Sequence, residues 1–403
     1  MTLKLSAVPD KLFWVSLIFC TVFVSYRYPL QLGTSDTSPT YSDTPANIQA
    51  AKFVAVLSLS ILSSWWALNT PIKTKRLPLL VLIILLQCAV LAKALYAFDV
   101  RFIDQTFWPL AALVLGLGVR EVNTKSLEVF MKFLLVFSLT SDAIEVLLFL
   151  VAGRLPAQGY PNSIVVRFGA WLDSPNDFAC ILFLLMGWAL VRYRGFKRIA
   201  VEGALFVCLL LTQSFTAYAF FAASLLLLIA RHAVRRPRSF LWMGAVLGIV
   251  SVATALLLPD LFSSLMESKT TSIAGHLRTP KDLLGNWERW VWVGAPVYDV
   301  YENWWISSLF NLGIPWVVLC LACMVWLLSL VVRAFTNATN TLDRAVFAGI
   351  LALSSYCVIG SWSFPVLTFF PVNFLFYLFC FLVAFGKLET SERFIKSQAE
   401  AEA

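Results

Sequence analysis

Apolar runs long enough to cross a lipid bilayer recur along the whole of this 403-residue chain, with no domain-sized polar segment between them. A hydrocarbon core of ~30 Å needs roughly 17 to 25 apolar residues in helical form. Runs of that kind are read near 12–30, 52–69, 77–95, 103–119, 127–151, 174–191, 199–211, 214–230, 239–258, 304–332, 345–362 and 365–386. Lipid offers no hydrogen bonds to an open backbone, so each run must pair its own N–H and C=O groups. The expected fold class is therefore an all-α polytopic integral membrane protein with about twelve transmembrane helices. The chain is 60% hydrophobic and 13% charged, far from the balance of an ordinary soluble domain. No small-residue cleavage pattern follows the first run, which is read as a span and not a signal peptide.

The cysteines Cys20, Cys88, Cys180, Cys208, Cys320, Cys323, Cys357 and Cys380 all lie inside apolar runs, which predicts thiols rather than disulfides. Cys320 and Cys323 have metal-motif spacing, but on an apolar helix without a histidine they read as packing residues.

Short cytoplasmic loops are enriched in Lys and Arg. Alternating spans put Lys4, Lys11, Lys73, Lys75, Arg76, Arg120, Lys125, the RYRGFKR and RHAVRRPR stretches, Arg333, Arg344, Lys387, Arg393 and Lys396 on one side. Both termini are then cytoplasmic. The organisation expected is a single transmembrane domain over 1–403, with a large periplasmic loop at 259–303 and a cytoplasmic tail at 387–403. The stretch from Ile199 to Ala230 tests this scheme, because it has basic flanks at both ends and a polar interruption, Thr212-Gln213-Ser214. Two short helices with a buried apex obey the charge rule, and broken helices of this kind often mark binding sites. One long tilted helix with buried threonines is the alternative.

The non-cytoplasmic face holds the segments 31–50, 96–102, 152–173 and 259–303. The first lacks basic residues and reads as a solvated loop. The last combines Trp287, Trp290 and Trp292 with His276, Arg278, Lys281, Glu288 and Arg289, which suits an interfacial helix or a cover over a cavity. Interfacial anchoring explains the tryptophans equally well. The stretch RFGAWLDSPNDFA, 167–179, leads into a span from the same side. Ser174 suits an N-cap and Pro175 the first helical position, with Asp177 placed to reach back to the cap amide. Arg167 is disfavoured on this face, and beside a helix start it would make an anion site. Asp142 and Glu145 stand three apart inside the fifth span, where a carboxylate is costly and binds a ligand or a neighbouring helix's donor.

These residues resemble the bacterial O-antigen ligase and O-antigen polymerase superfamily of polytopic glycosyltransferases. Arg167, Gly169, Pro175 and Asn176 are similar to its Arg-x-x-Gly-x-Phe-x-x-Pro-Asn pattern, with altered spacing and Trp171 near the aromatic position. Leu211-Thr212-Gln213-Ser214 resembles the first half of its Leu-Thr-x-Ser-Arg-Gly turn, Phe215 standing in place of Arg. Glu302-Asn303, nine residues and Gly313 resemble a His-Asn, nine residues and Gly motif that closes the large periplasmic loop, with Glu in place of His. Asp282-Leu283-Leu284-Gly285 looks like the Pro-Leu-Leu-Gly element before it. The likeness covers about residues 160 to 320.

The resemblance implies a GT-C-like fold in the bacterial inner membrane and transfer of a glycan from undecaprenyl diphosphate to a sugar hydroxyl on the periplasmic face. It implies inverting, metal-independent chemistry with no cofactor, in which cationic side chains stabilise the leaving diphosphate and a carboxylate or imidazole takes the hydroxyl proton. The catalytic candidates are Glu302 and, second, His276. Arg167, Asn176, Arg278, Lys281, Arg289 and Asn303 are the candidates for holding diphosphate and glycan. Glu302 as an interfacial carboxylate paired with an arginine is the competing reading. The expected function is a polysaccharide polymerase joining lipid-linked repeat units. The alternatives are an O-antigen ligase with another acceptor and, from a different class, a flippase or secondary transporter. The expected partners are the lipid-linked glycan and the bilayer, with a chain-length regulator and export machinery beyond them and no nucleic acid.

Overall fold

The computed structural model describes residues 10–18, 21–22, 46–69, 74–99, 101–152, 168–172, 174–233, 291–295, 303–363, 366–368 and 371–389. Among them the α-helices are α1 (Asp10–Ile18), α2 (Ala46–Asn69), α3 (Leu77–Ala97), α4 (Arg101–Gly118), α5 (Thr124–Ala152), α6 (Pro175–Arg192), α7 (Gly195–Thr212), α8 (Phe215–Ala233), α9 (Trp304–Leu312), α10 (Ile314–Asn337), α11 (Thr341–Gly360) and α12 (Val372–Ala384). Four of them, α3, α6, α10 and α11, are long and apolar enough to cross a membrane. The outward faces of α3 and α10 are apolar too: Leu85, Leu95, Val318 and Val325 are all exposed. Patches of that kind are rare on soluble monomers and suit contact with lipid. The chain is an all-α membrane protein.

The expected run at 239–258 lies outside the described residues. α2 begins at Ala46, inside the segment read as a solvated loop. The run expected as one span over 304–332 is two helices, broken at Gly313, whose φ is +83°. The sequence there is Gly313-Ile314-Pro315, a left-handed glycine followed by a proline in the first turn of the next helix. The last expected run, 365–386, begins as a short 3-10 turn at Val366–Thr368 before α12.

The most intimate helix pair is α6 with α11, running antiparallel. Trp188 and Gly187 on α6 meet Gly349 and Ala352 on α11: a Cβ at Gly187 would lie 2.6 Å from the Ala348 carbonyl oxygen, and one at Gly349 2.7 Å from that of Leu184. Small residues allow backbones to approach this closely, and dispersion contacts then replace the hydrophobic drive that lipid removes. Toward the α6 N-terminus the seam is aromatic, with the Phe183 and Tyr356 rings 4.6 Å apart and Phe220 of α8 packed 4.9 Å from Phe183.

The end of the seam at Arg192 and Thr341 is tied by polar contacts. Arg192 Nε donates to Glu128 at 2.7 Å, and Lys132 pairs with the same carboxylate at 2.8 Å. The Thr124 hydroxyl donates to Asp343 at 2.6 Å, while Asn340 caps α11 by accepting from the Asp343 amide. A parallel pair of two-residue strands, β1 (Val122–Asn123) and β2 (Leu388–Glu389), closes this end. Arg192 takes part in these contacts, the Lys387 carbonyl accepts from the Val122 amide at 2.7 Å, and Arg120, Lys125 and Arg344 stand within two residues of members of the cluster in sequence.

The seam predicts a contrast between glycines. Gly187→Ala pushes a methyl group against backbone and is expected to cost about 1–3 kcal/mol. Gly203→Ala on α7, where a Cβ meets nothing within 4 Å, is expected to be neutral or slightly stabilising. Thermal unfolding of the two variants in the same detergent measures this, and equal melting temperatures would contradict the seam.

Candidate functional site

At the opposite end of the seam α6 begins as the sequence requires. Ser174 is its N-cap and accepts from the Asn176 amide at 3.2 Å, with Pro175 at the first helical position. The preceding residues fold into a tight buried turn. The Leu172 amide donates to the Gly169 carbonyl at 3.0 Å, and Ala170 sits in the left-handed region at φ +52°. A Cβ at Gly169 would lie 2.9 Å from the Leu172 oxygen. Trp171 is buried against Phe137 and Phe178, its indole N–H donating to the Thr21 carbonyl at 3.2 Å.

A left-handed alanine is costly, and here a carboxylate holds it. Glu145 Oε2 on α5 accepts from the Gly169 amide at 3.2 Å and from the Ala170 amide at 2.7 Å. Glu145 is buried, so two backbone donors replace its water. Its neighbour Asp142 is also buried and faces Cys208 on α7. Both carboxylates of α5 thus face neighbouring segments.

The turn also reaches the break between α7 and α8. The Phe168 amide donates to the Leu211 carbonyl at 3.0 Å. The break falls where the charge rule puts it: α7 ends at Thr212, Gln213 is left-handed at φ +47°, and α8 starts at Phe215. Thr212 and Ser214 cap the exposed backbone, the Thr212 hydroxyl accepting from the Ser214 amide at 3.3 Å and the Ser214 hydroxyl from that of Ala217 at 3.4 Å. From α8 the Thr216 hydroxyl meets that of Ser363 at 2.5 Å, just beyond α11.

The same turn after α11 holds the start of α9. The Trp304 amide donates to the Ser361 carbonyl at 2.9 Å, and the Asn303 carboxamide donates to the Trp362 carbonyl while accepting from the Ile306 amide at 3.1 Å. Asn303 is therefore the N-cap of α9, and both ends of its side chain are engaged in that role. Three stretches distant in sequence, 168–176, 211–216 and 303–304, converge through the turn at 361–363 into one polar junction inside a chain that is otherwise apolar.

Beside it lies a contact that sequence reasoning missed. Residues 291–295 run along the break at Gly313: the Ala295 amide donates to the Phe310 carbonyl at 2.7 Å, and the Ile314 amide to that of Val291 at 2.9 Å. Gly294 and Gly313 are both left-handed, at φ +71° and +83°. A Cβ on Gly294 would overlap the Asn311 backbone, and one on Gly313 would lie 2.6 Å from the Trp292 oxygen. Lys93 of α3 donates to the Val293 and Gly294 carbonyls at 2.8 and 3.1 Å.

Of the sequence-predicted site residues, Asn176 is half-buried on the first turn of α6 and Asn303 caps α9. Arg167, His276, Arg278, Lys281, Arg289 and Glu302 lie outside the described residues. Arg167 and Glu302 are the chain neighbours of Phe168 and Asn303, both members of the junction. Among the described residues no cluster of three or more His, Cys, Asp or Glu side chains is arranged to hold a metal ion. No family model matches this chain, and no curated protein matches its sequence.

Two outcomes follow from this geometry. Glu145→Ala strands two buried amides and is expected to destabilise the protein by about 2–4 kcal/mol, with Glu145→Gln falling between it and the parent in thermal unfolding. Gly294→Ala and Gly313→Ala are each expected to lower the melting temperature, and the double variant to lose less than the sum, since both break one contact. Full additivity would show that the two glycines act separately.

Proposed function

We propose that this chain is a membrane glycosyltransferase that polymerises oligosaccharide repeat units carried on undecaprenyl diphosphate, at the periplasmic face of the bacterial inner membrane. The observation that carries the reading is the convergence just described. Three of the four sequence elements that resemble the O-antigen ligase and polymerase superfamily are far apart in the chain, and packing joins their described residues at the end of the bundle away from Arg192 and Asp343.

In this reading Glu302, next to the Asn303 cap, takes the proton of the incoming sugar hydroxyl as its oxygen attacks the anomeric carbon, and His276 is the second candidate. The bond from that carbon to the diphosphate oxygen breaks with inversion, and the leaving charge falls to Arg167, Arg278, Lys281 and Arg289. Asn176 orients the glycan. The acceptor end of a repeat unit and a growing chain on its carrier meet over the polar junction, while their lipid tails stay in the bilayer.

The test is a strain without the protein, from which undecaprenyl-linked glycans are extracted, sized and assigned to a side of the membrane. Single repeat units accumulating on the periplasmic side are expected. Long chains stranded on the carrier would assign a ligase, and single units held on the cytoplasmic side a flippase. Arg167→Ala and Glu302→Gln are expected to reproduce the deletion at normal protein levels, and wild-type product from either would remove that residue from the mechanism.

A further inference from the structure

α3 carries a buried stripe, Leu79, Ile83, Leu86, Val90 and Lys93, spaced four and three residues apart so that one helix face turns inward. Its last member is a lysine only 9% exposed within an apolar helix. Two backbone carbonyls accept from it, and the Tyr96 ring lies 5.7 Å from its nitrogen. Among the described residues no carboxylate lies within ion-pairing distance of it. Carbonyl dipoles orient an ammonium without neutralising it, and a buried cation is costly unless an anion completes the site.

Further along the same face of α3, toward Leu77, a cavity opens between α3, α10 and α12. Ile83, Leu86, Trp316, Leu327, Leu367 and Phe381 are among its walls. Its interior is narrow, with room for about two water molecules, and so for the end of a single hydrocarbon chain and not a ring system. One carboxamide, Gln87, lines it, and the side-chain oxygen of Gln87 is buried without a hydrogen-bond partner among the described residues. At ~1.5 Å per residue, Gln87 stands about 9 Å from Lys93 along the helix, on the cavity side. The order along α3 is therefore cation, carboxamide, apolar slot.

We propose that this face of α3 binds an anionic glycerophospholipid. Its phosphate pairs with Lys93, between the 293–294 carbonyls and the bilayer. The Gln87 amide N–H groups reach an ester carbonyl, and the Gln87 oxygen takes a water at the glycerol level. One acyl chain ends in the slot between α3, α10 and α12. Such a lipid presents phosphate, ester and chain in the order that the helix presents their partners. The ligand also joins α3 to the 291–295 segment through the lysine that both share. This site stands whether or not the chain transfers glycans.

The experiment uses the full chain purified in a neutral detergent and stripped of lipid. Its thermal unfolding is followed with phosphatidylglycerol, phosphatidylcholine or inorganic phosphate, and bound lipid is counted by native mass spectrometry. Phosphatidylglycerol is expected to raise the melting temperature and to be retained roughly tenfold more tightly than phosphatidylcholine. Lys93→Met is expected to abolish that preference and Lys93→Arg to keep it. Ile83→Trp, which fills the slot and leaves the lysine intact, is expected to weaken retention of the long-chain lipid. Equal retention of the two lipids by the parent protein, or an unchanged preference in Lys93→Met, would overturn the proposal. Inorganic phosphate reproducing the whole stabilisation would assign a free-anion site in its place. Undecaprenyl diphosphate outcompeting phosphatidylglycerol at equal concentration would overturn the glycerophospholipid assignment and give the site to the lipid carrier.

Discussion

The antiparallel seam between α6 and α11 is the contact on which the other features rest. Gly187 and Gly349 let the two backbones approach until side chains on one helix touch main chain on the other. Within lipid this proximity is itself the source of association, because burying leucine against leucine gains little when the surrounding solvent is already hydrocarbon. The seam then sets levels. It brings the N-cap of α6 at Ser174 to the same end as the 361–363 turn after α11, and it brings Arg192 to the same end as Asn340 and Asp343. The polar junction and the charged end are its two termini.

Much of the irregular backbone near the first of those ends is held by specific hydrogen bonds. Glu145 takes two amides from the 168–172 turn, Thr212 and Ser214 cap their own broken helix, and Asn303 caps α9 while gripping the turn beyond α11. Irregular backbone at such a place survives only if each donor has a partner. The result is a polar floor, each piece of which is fastened to a different helix. In the proposed reaction such a floor would hold the reacting groups in place, and preorganised polar groups serve catalysis where charge develops.

Much of this was legible in the sequence, and the reasons differ residue by residue. Ser174-Pro175 is a local signal and folds as read. The break at 212–214 came from combining a charge argument with a polar tripeptide, neither of which suffices alone. The break at Gly313 escaped because apolar residues continue on both sides of it, and hydropathy cannot tell one long helix from two that meet at a glycine. Lys93 escaped for the opposite reason: a lone lysine near a span's end reads as one that reaches the interface, and only the packing of 293–294 over it shows that it is covered. The strand pair at 122–123 and 388–389 joins residues 266 positions apart, with two residues on each side, too few for a periodicity to appear.

The crossing of Gly294 and Gly313 has a further implication for how the protein can vary and move. Because 291–295 is stitched to 310–314 by the Ala295–Phe310 and Ile314–Val291 hydrogen bonds, neither segment can slide past the other by one residue without driving a side chain into the facing backbone. The sequence between the two segments contains Glu302 and leads into the Asn303 cap of α9. The stretch of chain that carries the proposed carboxylate is thus pinned at both of its described ends, at the glycine crossing and, through Asn303, at Trp362.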